Sequence, residues 1–162
     1  MTTTKKIVIL GHFGVGKTSI IRKFVTNEFT TDYKVTIGVH IFKKKVTVTT
    51  NNQVSLILWD LEGTDNIDLI SSAYLLGAQS FIYVYDITRP ATYLSLEKDA
   101  TKLKEKYPKT ILKTVANKID LVEDISDDIY KDILKKTDFT SSAKTGENIG
   151  DLFEMIAKEL SS

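Results

Sequence analysis

The stretch Gly11-His12-Phe13-Gly14-Val15-Gly16-Lys17-Thr18 fits the pattern G-x-x-x-x-G-K-[ST]. The pattern describes a phosphate-binding loop when a strand runs into it and a helix leaves it. Both conditions hold. Residues 6–10 carry the continuous apolar run Ile7-Val8-Ile9-Leu10, expected of a strand buried on both faces. Residues 18–28 read as a helix that begins inside the loop. Backbone N–H groups from Gly14, Val15 and Gly16 through Ser19 then converge on one anion, and the helix dipole adds to them. Lys17 supplies a point charge for the outer phosphates, and the Thr18 hydroxyl can ligate Mg²⁺.

Outward from this loop, strand and helix patterns alternate. Residues 39–49 and 53–60 are strand-like, with turn chemistry at Thr50-Asn51-Asn52, and read as an antiparallel hairpin. Residues 80–85, 110–116 and 138–140 read as further strands. Helices are expected over 68–76, over 92–106 with Leu96, Ala100 and Leu103 inward, and over 127–136. A closing helix over 149–160 carries Leu152, Phe153, Ile156, Ala157 and Leu160 on its inner face. The expected fold is α/β: a mixed six-stranded sheet, mainly parallel with one antiparallel edge strand, covered by helices on both faces in three layers. Ligands in such folds sit beyond the carboxyl ends of the strands, and the phosphate loop meets that rule.

Composition narrows the class. A chain of 162 residues, 42% hydrophobic and 27% charged, suits one domain spanning 1–162 with a proper core. A net charge of +1 gives no bulk attraction to nucleic acid or anionic membrane. The basic run Lys43-Lys44-Lys45 is expected on the solvated part of a strand. There is no cysteine, which excludes disulfides, thiolate metal sites and a catalytic thiol, and also prenylation and palmitoylation of this chain. Met1-Thr2-Thr3-Thr4 does not read as a signal peptide. A cytoplasmic monomer is expected, associated with membranes only indirectly if at all.

Asn117-Lys118-Ile119-Asp120 follows the strand at 110–116 and so also lies at a strand carboxyl end. Alone it could be a polar turn. After a phosphate loop it has a sharper meaning, because an aspartate there can accept from both N1–H and the exocyclic amino group of guanine. Adenine has no such donor pair and would leave the carboxylate unpaired. Ser142-Ala143-Lys144 follows the last short strand, where a backbone N–H can reach the guanine O6. Asn117 can brace the loops, and the Lys118 stem can pack on the base.

With these motifs together, the chain resembles the Ras superfamily of small GTPases, most closely its Rab-like branch. The resemblance runs over 5–160 and rests on residues 11–18, Thr36-Ile37-Gly38, Asp60-Leu61-Glu62-Gly63, Asn117 to Asp120 and Ser142-Ala143-Lys144. Ile37-Gly38-Val39, Trp59-Asp60, Tyr83-Val84-Tyr85-Asp86-Ile87-Thr88 and Thr145-Gly146-Glu147-Asn148-Ile149 have the Rab-like cast. It implies a P-loop NTPase G domain that binds GTP and GDP with Mg²⁺. Phe29 is then expected to pack edge-on against guanine and Tyr33 to close over the phosphates. Thr36 would complete the Mg²⁺ shell when a γ-phosphate is present. Asp60 would hold Mg²⁺ through water, and the Gly63 N–H would bond the γ-phosphate. Two segments, at 30–39 and 61–76, would relax when that phosphate is lost. Effector, exchange and GTPase-activating proteins are the implied partners.

Three residues depart from the resemblance. Thr64 stands where a water-positioning glutamine is usual, and its shorter side chain falls short of that task. Phe13 occupies a normally small position against the γ-phosphate and would obstruct an arginine supplied by a partner. Glu62 replaces the usual alanine, and its carboxylate would repel the γ-phosphate, shift Mg²⁺ or turn outward. The expected catalytic set is Lys17, Thr36, Gly63 and Thr64, with slow hydrolysis. A GTP-locked scaffold that does not turn over is the alternative.

Overall fold

The computed structural model describes residues 2–30 and 35–162, so Tyr33 lies outside the described residues. Six strands form one sheet in the order β2-β3-β1-β4-β5-β6. Strand β1 (Thr2–Gly11) lies at its centre between β3 (Asn52–Leu61) and β4 (Ser80–Asp86), parallel to both. Its period-2 alternation decides the layers. Ile7 and Ile9 face one cluster with Ile20, Ile21, Phe153 and Ile156. Val8 and Leu10 face the other, with Leu75, Tyr83, Leu96 and Leu103. Each aliphatic side chain so buried contributes about 1.5–3 kcal/mol.

The first face is covered by α1 (Lys17–Thr26) and α5 (Ile149–Ser161). Phe24 of α1 stacks on Phe153 of α5, ring centroids 4.1 Å apart. The second face is covered by α3 (Leu96–Lys106), with α2 (Ser72–Leu75) and α4 (Asp128–Leu134) beside it. Strand β5 (Ile111–Asn117) pairs parallel with β4, and β6 (Phe139–Thr140) with β5. Strand β2 (Val39–Thr49) pairs antiparallel with β3 and forms the edge. The mixed sheet with one antiparallel edge strand is therefore as expected. Lys43 and Lys45 are exposed on β2, whereas Lys44 is half-buried and donates to the Val25 carbonyl at 3.3 Å.

Local chemistry corrects several boundaries. β1 starts before the apolar run because the polar Thr2, Thr3 and Thr4 still find partners in Gln53, Val54 and Ser55. The helix expected over 68–76 is instead a 3₁₀ turn, Ile67–Leu69, followed by the four-residue α2. Asn66 accepts from the Asp68 N–H and Ser71 from the Ala73 N–H, so two caps start two short turns, with Ile70 extended between them. The helix expected from 92 begins at Leu96. The Thr92 hydroxyl is engaged with the Asp86 and Arg89 carbonyls at 3.1 and 2.8 Å, which fixes a separate turn at Pro90–Thr92. Asp127 is the cap of α4 rather than its first residue, and that helix stops at Leu134.

Candidate functional site

The carboxyl ends of the parallel strands deliver the site. β1 ends at Gly11, β3 runs through Asp60, β4 ends at Asp86, β5 ends at Asn117, and Ser141 follows β6. Beyond them opens a cavity of about 500 Å³.

At its phosphate end the loop wraps around the start of α1. Lys17 is buried and donates to the Gly11 and His12 carbonyls at 3.0 and 2.8 Å, which aims its ammonium back across the loop. Burial lowers its pKa to about 8, partly countered by Asp60. A buried cation in that condition is short of negative charge, which phosphate oxygens would supply. Gly16 has φ +101°, and a Cβ there would meet the Asn117 amide nitrogen at 2.4 Å. Gly63 packs so closely that a Cβ would lie 2.5 Å from the Phe13 Cα, and the Thr64 N–H donates to Gly11 O at 3.2 Å. The loop and the segment after β3 are thus in direct backbone contact.

Thr18, Thr36 and Asp60 meet at one point. The Thr18 hydroxyl donates to Asp60 Oδ2 and lies 2.8 Å from the Thr36 hydroxyl. Asp60 is fully buried, and its Oδ1 has no hydrogen-bond partner among the described residues. Burial raises its pKa, opposed by the Thr18 hydrogen bond and the Lys17 charge. Two hydroxyls and a carboxylate with an unpaired oxygen are hard oxygen donors, and they fit a Mg²⁺ that keeps waters and phosphate oxygens as its other ligands.

The other end is braced by side chains. Asn117 donates to Val15 O at 2.9 Å and accepts from the Ser141 hydroxyl and the Ala143 N–H at 3.1 and 3.3 Å, so one amide joins three loops. Lys118 donates to Gly14 O at 2.8 Å and pairs with the buried Asp86 at 3.0 Å. Asp120 accepts from the Ser142 hydroxyl at 2.7 Å.

Gly14, Gly16, Lys17, Thr18, Ser19, Phe29, Thr36 and Gly63 line the cavity, with Asn117, Lys118, Asp120, Ala143 and Lys144. Val15, Asp60 and Ser142 stand behind that wall and support it. Phe13 lines the cavity and is 47% exposed, with its carbonyl accepting from Arg89 at 3.2 Å. Thr64 does not line it. The Thr64 hydroxyl donates to Asn66 O and accepts from Asn66 N, both at 3.1 Å. Glu62 is exposed and lies outside the lining, so of the three arrangements expected for it, the outward one is found. Sequence reasoning missed Arg22, Glu28, Thr30, Val35, His40 and Leu121 in the cavity wall. Arg22 carried a usable signal, lying three and four residues after Ser19 and Thr18 on one helix; Asp86, read only within the Rab-like stretch Tyr83 to Thr88, gains its place opposite Lys118.

A model of the Ras family matches residues 6–162. The chain belongs to the Ras family. Within that family it is similar to Rab and Ypt proteins. It is 35% identical to the GTP-binding protein ypt5 of Schizosaccharomyces pombe over 170 residues, covering 99% of this chain and 79% of that protein. It is 34% identical to the Ras-related protein Rab-11A of Dictyostelium discoideum over 161 residues, covering 96% and 75%. It is 30% identical to the Ypt/Rab-type GTPase YPT7 of Saccharomyces cerevisiae over 168 residues, covering 94% and 79%. As a Rab-like Ras-family protein it is a GTP-binding small GTPase.

Proposed function

We propose that this Ras-family chain is a guanine-nucleotide switch that hydrolyses GTP slowly, built as one G domain over 1–162. The observation that carries the slow turnover is the Thr64 hydroxyl, engaged with Asn66 at 3.1 Å and outside the cavity wall. Nothing at that position is left to align a water, and alignment with charge compensation is most of what this reaction asks of a protein. Phe13 adds a bulky ring at the cavity where an activating arginine would enter.

Each residue then has a role. The backbone N–H groups of Gly14 to Ser19 cradle the phosphates, and Lys17 neutralises the outer ones. Thr18, Thr36 and Asp60 would hold Mg²⁺, which when bound offsets phosphate charge. Thr36 and Gly63 sense the γ-phosphate from the segments at 30–39 and 61–76. Phe29 packs on the base, Asp120 reads it, Ala143 and Lys144 complete its pocket, and Asn117, Lys118 and Ser142 hold these groups in place. Tyr33 would close over the phosphates. Effector, exchange and GTPase-activating proteins would read the two segments. The protein works as a cytoplasmic monomer, without nucleic acid.

Retained γ-phosphate sensors favour a switch over a GTP-locked scaffold, because a scaffold has no use for them. The test is displacement of fluorescent GDP from the purified protein, with the eluted nucleotide identified by chromatography. Displacement by GTP and GDP but not ATP, with GDP among the eluted nucleotides, supports the reading. GTP as the sole eluted nucleotide supports the scaffold, and displacement by ATP defeats both.

A further inference from the structure

We propose that Arg22 binds the α-phosphate of the nucleotide, an inference that rests on the guanine-nucleotide reading above. Arg22 lies on α1 three residues after Ser19 and four after Thr18, so the three share a helix face. Arg22 is half-buried and lines the same cavity as Ser19. Helical side chains lean toward the helix N-terminus, and Ser19 is only about 4.5 Å back along the axis at 1.5 Å per residue. The guanidinium is therefore carried toward the inner end of the phosphate cradle.

Among the described residues, no carboxylate pairs with its charge. Lys17 is engaged with the Gly11 and His12 carbonyls, and Lys118 with Gly14 O and Asp86. Every ion pair among the described residues uses a lysine, and none involves Arg22. Glu28 lines the same cavity yet forms no ion pair with it. Lys144, the remaining cation of the wall, stands with Ala143 and Asp120 at the base end. A half-buried arginine gains from a bound anion, and the planar fork of five N–H donors matches a phosphate. The outer phosphates are already served by Lys17, Thr36 and Gly63 in this reading. The α-phosphate is the anion that lies within its reach.

The test is competition against fluorescent GDP on Mg²⁺-supplied wild type, Arg22→Gln and Arg22→Lys, using unlabelled GDP, GMP and guanosine. Arg22→Gln should weaken GDP and GMP by the same factor, about tenfold, and leave guanosine unchanged. Arg22→Lys should recover part of the loss. Wild-type GDP affinity in Arg22→Gln overturns the proposal, as does an equal loss for guanosine, which would mark a structural effect at the base end. If Arg22→Gln does not fold, Arg22→Lys decides, with a smaller loss for GMP and none for guanosine required. Wild type that fails to bind GDP retires the underlying reading as well, whereas wild type that binds beside an unaffected variant retires only the role of Arg22.

Discussion

Base selectivity, as proposed, falls to Asp120, which lines the cavity. Ser142 holds one carboxylate oxygen at 2.7 Å, so the group meets a ligand already oriented. Removing it leaves the guanine donors unpaired. Asp120→Ala should weaken GDP by roughly 10- to 150-fold, the range for a charge-assisted hydrogen bond worth about 1.5–3 kcal/mol, as measured by displacement of fluorescent GDP. His12 offers a second test at this scale. Its Nε2 is buried without a partner among the described residues, and burial lowers its pKa despite the facing Asp65 and Asp99 charges, with Lys17 and Arg89 acting in the same direction as burial. The unfolded chain takes up a proton near 6.5 that the folded chain resists. Stability contributed by neutral His12 is therefore present above the unfolded pKa and lost as pH falls below it. His12→Asn should show a smaller drop in urea midpoint between pH 7.5 and 5.5 than wild type does. An identical drop would discount this residue.

Among the elements, α1 and α5 bear on the site through one contact. Phe24 stacked on Phe153 at 4.1 Å ties the helix that starts at Lys17 to the closing helix. Phe153→Ala should cost about 3–5 kcal/mol by urea unfolding, as large-to-small core changes do. These long elements were legible because their apolar residues recur at helical spacing: the inner face expected for 149–160 is the one that is buried. The form of the segment at 61–76 was not legible. Its two caps, Asn66 and Ser71, each satisfy N–H groups locally, and no periodic apolar stripe overrode them. The site divided in the same way. The phosphate loop and Asp120 could be placed in the cavity wall because their motifs depend on short, local spacing. Asp86 beneath Lys118 and the cavity wall at Val35, His40 and Leu121 could not, since they come together only through the sheet.

For the whole molecule, the decisive property is that strand ends far apart in sequence share one cavity. Asn117 reaches Val15 across 102 positions, and Thr18 meets Asp60 across 42. Ligand binding and stability are therefore linked: nucleotide with Mg²⁺ should raise the melting temperature, and chelation should lower it again and speed GDP release. An unchanged melting curve on chelation would argue against Thr18, Thr36 and Asp60 as the metal site. Slow turnover is tested by single-turnover hydrolysis of radiolabelled GTP by wild type and Thr64→Gln. Wild type should turn over more slowly than the intrinsic small-GTPase rate, which is on the order of 10⁻⁴ s⁻¹, and Thr64→Gln should be faster. Hydrolysis by wild type at that intrinsic rate, with no gain in Thr64→Gln, would contradict it.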